Sequence, residues 1–144
     1  MAQQRSANTT KRPSRAGPGK SILRAQKLVA FVATREPSRA KEFYRDILGL
    51  RLVSEDDFAL VFDAAGTKLR VTPVQELAAA KHTVLGWQVY DIVQTAKALQ
   101  KAHVALERYA GMQQDDVGIW RSPGGARVAW FKDPDGNTLS ITQF

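Results

Sequence analysis

Apolar residues first gather at LVAFVA, residues 28 to 33, an unbroken run of six that predicts a short, largely buried strand. The period then changes. In PSRAKEFYRDILG, Ala40, Phe43, Tyr44, Ile47 and Leu48 recur at i, i+3, i+4, i+7 and i+8, the stripe of an amphipathic helix. Pro37 suits its first turn and Gly49 its end. Three strand-like stretches follow, LRLVSE, FALVFD and TKLRVTP, separated by the turn-prone EDD and AAG. The unit is β-α-β-β-β.

The pattern then repeats. HTVLGWQVY predicts a strand, and Asp91 can cap a helix running to about His103, with Ile92, Ala96 and Leu99 on its inner face. VALERY, GIWRS and ARVAWFKDPDGNTLSITQF supply three more strands, with DPDG as a turn. Phe62, Gly66, Leu69, Val71 and Thr72 correspond to Phe131, Gly136, Leu139, Ile141 and Thr142 at an offset of 69 or 70. One module of fifty to sixty residues has been used twice. Module one covers about residues 28–74 and module two about 82–144.

Length and charge narrow the classes. The 144 residues suit one domain or two half-domains sharing a core. No apolar run approaches the roughly 20 residues that cross a bilayer as a helix, so the sequence predicts a cytoplasmic protein without membrane attachment. With no cysteine there is neither a disulfide framework nor a thiolate metal site. The formal charge of +7 suggests a nucleic-acid partner until its distribution is read. Residues 1–27 carry seven basic residues and no acidic one, leaving 14 of the 21 basic residues against all 14 acidic ones in the rest. The excess belongs to a tail rich in Ser, Pro, Gly and Gln, a composition that predicts disorder. Nucleic acid is therefore expected, if at all, only through that tail.

Two βαβββ modules, a first helix ending FYRDILGL and a last hairpin reading FKDPDGNTLSI resemble the vicinal oxygen chelate superfamily of glyoxalases, bleomycin-resistance proteins and extradiol dioxygenases. The resemblance implies an α+β fold in which eight strands form a cup, with helices on its outer face, and a homodimer. It also implies, in metal-using members, a divalent ion held by the first and fourth strand of each module, usually through His and Glu. Carried onto this chain, those positions fall on Val29, Val84, Arg70 and Ser140. None is a usual ligand. A cation 4 Å from a divalent ion, at an effective dielectric of about 20, would cost roughly 8 kcal/mol. The sequence thus predicts no metal and no cofactor.

Strand alternation gives the cup a lining. If those four positions face inward, so do Phe31, Lys68, Thr72, His82, Gly86, Thr138 and Thr142, while Leu69, Val71, Trp87, Leu139 and Ile141 face the helices. Arg70 is the leading candidate, a guanidinium able to hold a carboxylate, phosphate or enolate oxygen through two hydrogen bonds. Its alternative is a rim residue paired with a carboxylate such as Asp63. His82 is a weaker candidate for ligand binding or proton transfer. Phe31, Thr72 and Ser140 join the candidate ligand-binding set, as do Trp120 and Trp130, which would wall a flat ligand unless they serve the core. The polar loop GMQQDDVG could close over the mouth, with Met112, Gln113 and Asp116 at the rim.

Other chemistries lack their signatures. GPGKS at residues 17–21 has neither the glycine spacing nor the strand and helix context of a phosphate-binding loop, and G-x-S-x-G does not occur. The sequence therefore points first to a metal-free protein binding a small anionic or aromatic molecule. The alternative is an enzyme of the same superfamily, a glyoxalase-like lyase or isomerase or a dioxygenase, with a non-standard or metal-free site. In that case His82 with Asp116 would rebuild a metal site, or Arg70 would replace the ion.

Overall fold

A computed structural model describes residues 21–144. Most of the basic tail lies outside the described residues; its last part, residues 21–26, is an exposed turn in which the Gln26 amide donates to the Leu23 carbonyl at 3.0 Å. Eight strands follow, divided equally between two sheets. Module one contains β1 (Val29–Thr34), the helix α1 (Pro37–Lys41) extended by a π-helical turn (Glu42–Ile47), β2 (Arg51–Glu55), β3 (Leu60–Ala64) and β4 (Thr67–Pro73). Module two contains β5 (Thr83–Gln88), α2 (Ile92–Lys101), β6 (Trp120–Arg121), β7 (Arg127–Lys132) and β8 (Thr138–Gln143).

The sheet orders are β1-β4-β3-β2 and β5-β8-β7-β6, the same topology twice, and the sheets approach each other at their β1 and β5 edges. In each module the outer strand runs parallel to the last one, so a helix must cross between them. The repeat holds in register: Phe62 stands opposite Leu69, and Phe131 opposite Leu139. VALERY, by contrast, is not a strand and contributes only an isolated bridge between Leu106 and Phe131. The stretch is tied down by its neighbours instead, the Glu107 amide donating to the Trp130 carbonyl at 2.8 Å.

Both helices start and stop for readable reasons. The Asp91 carboxylate accepts the Gln94 amide at 3.1 Å, satisfying one of the unpaired amides of α2, and Ile92, Ala96 and Leu99 are its buried residues. The first helix widens after Lys41, so that the Leu48 amide reaches back five residues to the Phe43 carbonyl at 2.9 Å. Gly49, at φ +79°, then reverses the chain and lets the Leu50 amide close onto the Tyr44 carbonyl at 2.9 Å. Phe43 and Tyr44 both point inward and are buried.

The two modules share one core. Val32, Phe62, Leu69 and Val71 from the first sheet join Ala129, Phe131, Leu139 and Ile141 from the second, beneath Phe43, Ile92, Ala96 and Leu99 of the helices. Each large side chain so buried contributes about 1.5–3 kcal/mol. Polar groups of the β7–β8 turn fasten the modules further. Asp133 is buried, and its carboxylate accepts the Tyr44 hydroxyl at 2.7 Å, the Asn137 side-chain amide at 2.8 Å, and the backbone amides of Asp135 and Asn137 at 2.9 Å. Asp135 accepts the Thr34 hydroxyl at 2.6 Å and the Arg35 amide at 2.8 Å, while Asn137 also donates to the Ala33 carbonyl at 2.9 Å. Burial, and then the Asp133 charge, hold the Tyr44 phenol protonated far above its usual range. Among the described residues no helix is long and apolar enough to cross a membrane.

This turn should therefore dominate stability. Asp133→Ala strands Tyr44 and Asn137 and is expected to cost about 3 kcal/mol or more, whereas Tyr44→Phe, which leaves Asp133 three donors, should cost about 1–2 kcal/mol. Urea unfolding measures both; an Asp133→Ala loss no larger than that of Tyr44→Phe would show that the modules are held by packing alone.

Candidate functional site

The face opposite the helices is set by strand alternation. Leu69, Val71, Leu139 and Ile141 are buried toward the helices, which turns Lys68, Arg70 and Thr72 on β4, and Thr138, Ser140 and Thr142 on β8, to the other side. On module one, Phe31 of β1 stands opposite Arg70 and is 62% exposed; Val29, opposite Lys68, is exposed too. Arg70 and Thr72 are half-buried. Arg70 makes no hydrogen bond or ion pair among the described residues. Asp63, its expected partner, instead faces Arg51 at 3.6 Å and accepts the Gly66 amide at 3.1 Å. A hollow of about 340 Å³ opens on this module among Lys27, Val29, Arg51, Val53, Asp63 and Lys68, with three cations to one carboxylate.

Module two differs in chemistry. Trp130 of β7 stands opposite Ser140, and its ring lies 6.0 Å from that of Trp120 and 5.5 Å, edge to face, from that of Tyr109. The Trp130 indole N–H donates to the Thr83 hydroxyl at 3.0 Å, which fixes the ring. Both tryptophans are half-buried, so they form a wall rather than core. Lys132 donates to the Thr138 hydroxyl at 2.8 Å, and that hydroxyl donates to the Ala80 carbonyl at 3.0 Å. Ser140 is buried, and Gly86 stands opposite it on β5. His82 precedes β5 on the surface, exposed, and the structure brings no carboxylate to it. Thr83, Lys132 and Gly86 gain meaning only from strand register; pairing β5 with β8 in the sequence would have brought out Gly86.

The metal positions implied by the family resemblance can be tested as a donor set. They carry two aliphatic side chains, one cation and one hydroxyl, and do not fit a divalent ion. Among the described residues no three His, Asp or Glu side chains gather closely enough to hold one. A second hollow of about 320 Å³ lies on the outer face among Ile47, Leu50, Trp87, Val89, Ala98 and Leu99. It is apolar and lacks converging polar groups, so chemistry favours the inner face.

The loop between α2 and β6 is pinned rather than free to swing. Arg108 donates to the Asp115 carbonyl at 2.7 Å and to the Asp116 carbonyl at 2.6 Å. Gln114 accepts the Tyr109 amide at 2.8 Å and donates to the Glu107 and Gly118 carbonyls at 2.9 and 2.8 Å. Met112 and Gln113 are carried on this braced segment, Met112 half-buried and Gln113 exposed. The Asp115 carboxylate collects the amides of Val117, Gly118 and Ile119 at 2.9–3.0 Å. Partial burial pushes the Asp115 pKa up, but those amides and Arg108 outweigh it, and the net shift is downward. A carboxyl depressed in the folded state stabilises the loop above its ordinary pKa and stops doing so as pH falls through the lowered value. The amide resonances of Val117, Gly118 and Ile119 should titrate together at a pH below the ordinary carboxylate range, and Asp115→Asn should abolish that titration.

Comparison with known proteins places this geometry. The model of the glyoxalase/bleomycin resistance protein/dioxygenase superfamily matches residues 26–141. A lactoylglutathione lyase from Agrobacterium tumefaciens superposes with a TM-score of 0.65 at 16% identity, over 83% of this chain and 93% of that one. A member of the same superfamily from Sphaerobacter thermophilus DSM 20745 gives a TM-score of 0.65 at 19% identity, over 83% and 98%. A glyoxalase/bleomycin resistance protein/dioxygenase from Alicyclobacillus acidocaldarius gives 0.60 at 14%, over 83% and 92%. No curated protein matches the chain. Identities this low carry the fold alone. With the family match spanning both modules and the same fold recurring in those structures, the chain belongs to the vicinal oxygen chelate superfamily of glyoxalases, bleomycin-resistance proteins and dioxygenases.

Proposed function

We propose that this protein binds a small anionic or aromatic molecule on the inner face of its sheets, without the metal ion that many members of its family use. The observation that carries this reading is Arg70: a half-buried guanidinium on the inner face, opposite an exposed phenylalanine and without a protein partner. A guanidinium held out of bulk water without a counterion is a ready receptor for a carboxylate or phosphate. Lys68, on the same face two residues earlier, adds positive charge. The wall of Trp120, Trp130 and Tyr109 supplies the complementary surface for a ring. Phe31, Thr72 and Ser140 belong to the same face; exposed His82 lies at its margin and adds little to the reading.

A thermal-shift and calorimetric screen of carboxylates, phosphates and neutral aromatics should yield at least one stabilising compound, because a ligand at 100 times its Kd adds about 2.7 kcal/mol. Arg70→Gln should weaken anions by roughly ten- to a hundredfold while leaving neutral compounds within about twofold. Anions that bind Arg70→Gln as tightly as the parent protein would sink the assignment of Arg70.

The same face bears on assembly. Val29, Phe31, Val53 and Val84 are large apolar residues left exposed on β1, β2 and β5, and a second copy of the chain is the partner we assign to them. Light scattering is expected to report a dimer that Phe31→Glu shifts to monomer; a monomeric parent protein at tens of micromolar would end this part of the proposal.

A further inference from the structure

Gly86 sits in the middle of β5, where a glycine costs about 0.5–1 kcal/mol relative to alanine. Its φ lies outside the left-handed region, so the backbone there suits any residue and does not demand glycine. The need is for space: a Cβ on Gly86 would stand 2.6 Å from the Ser140 hydroxyl oxygen. Ser140 is only 7% exposed, and that hydroxyl makes no hydrogen bond among the described residues. A buried hydroxyl without a partner costs the protein stability in the free state. Two unfavourable choices, a mid-strand glycine and an unsatisfied hydroxyl, thus occupy one spot on the inner face. Trp130 stands opposite Ser140 on the other side, its ring fixed by Thr83. Lys132 lies two residues further along β7, about 6–7 Å away along the strand, and brings a positive charge to the same face.

We infer that Gly86, Ser140 and Trp130 form a slot for the carboxylate-bearing edge of a planar aromatic molecule. The ring stacks against Trp130, the carboxylate enters the gap that Gly86 leaves, and the Ser140 hydroxyl donates to it within reach of the Lys132 field. Gly86 is then the specificity determinant, since even one methyl group at position 86 fills the gap. This inference rests on the inner face being the binding surface, but it is independent of Arg70.

The test uses 1-naphthoate as probe, with 1-naphthol and cyclohexanecarboxylate as neutral and non-aromatic controls, in calorimetry and tryptophan fluorescence on the full chain. 1-Naphthoate should bind at least tenfold more tightly than either control. Ser140→Ala should weaken 1-naphthoate about fivefold while raising the Tm of the free protein by about 3 °C, a combination that a purely structural serine does not give. Gly86→Ala should abolish binding. Because that methyl group meets the serine hydroxyl, the double variant Gly86→Ala/Ser140→Ala is the decisive control: the position 140 Cβ lies 3.9 Å from the new methyl, an ordinary contact, so the variant folds and still does not bind. Binding of 1-naphthoate to the double variant at parental affinity overturns the slot, and so does failure of the parent protein to bind it. Loss in Arg70→Gln with full binding in both Gly86 variants would overturn the slot and leave the arginine reading intact; the reverse pattern would uphold the slot and remove the arginine.

Discussion

The arrangement of the two modules depends on one buried carboxylate. Asp133 sits beneath the turn of the last hairpin, where an ionised group survives only if donors replace the water it has lost. Four do: the Tyr44 hydroxyl from the first helix, the Asn137 side chain, and two amides of the turn itself. One of those donors belongs to module one, so the charge is compensated only when the modules are docked. Asp135 and Asn137 then hold the end of β1 through Thr34, Arg35 and Ala33. The turn is a fastening between half-domains as much as a reversal of the chain.

Docking by this turn leaves the two sheets free to differ where they do not face the core. Phe62 and Phe131, Leu69 and Leu139, Val71 and Ile141 are matched across the repeat because a close-packed interior tolerates little change in volume. On the opposite face the matched positions diverge: Phe31 and Arg70 in one module answer to Gly86 and Ser140 in the other. One sheet has become cationic and the other aromatic and hydroxylic. The divergence is where a binding chemistry can be written without disturbing the fold.

Family membership and the local chemistry therefore say different things. The superfamily fold is present over both modules, yet the strand positions that hold metal in some of its members carry valine, arginine and serine here. A shared scaffold fixes where a site is placed, and the residues on it decide what enters. The outer hollow between the helices illustrates the same distinction, being comparable in size to the inner one but without groups that could orient a ligand.

Periodicity alone determined the double βαβββ pattern, the two faces of each sheet, the Asp91 cap and the helix end at Gly49, because each depends on residues within a few positions of one another. The widening of the first helix into a π turn was not legible, since the same residues also satisfy an α-helical stripe. VALERY carries strand-like residues but has a partner only at Leu106, and Arg108, Gln114 and Asp115 brace a loop that reads as loose. Tyr44 and Asp133 are 89 residues apart, and Thr83 and Trp130 are 47 apart. Gly86 and Ser140 read separately as a weak strand residue and a small polar one. Only the parallel register of β5 and β8 puts the missing side chain over the buried hydroxyl, since pairing across such distances is decided by the packing of the whole chain.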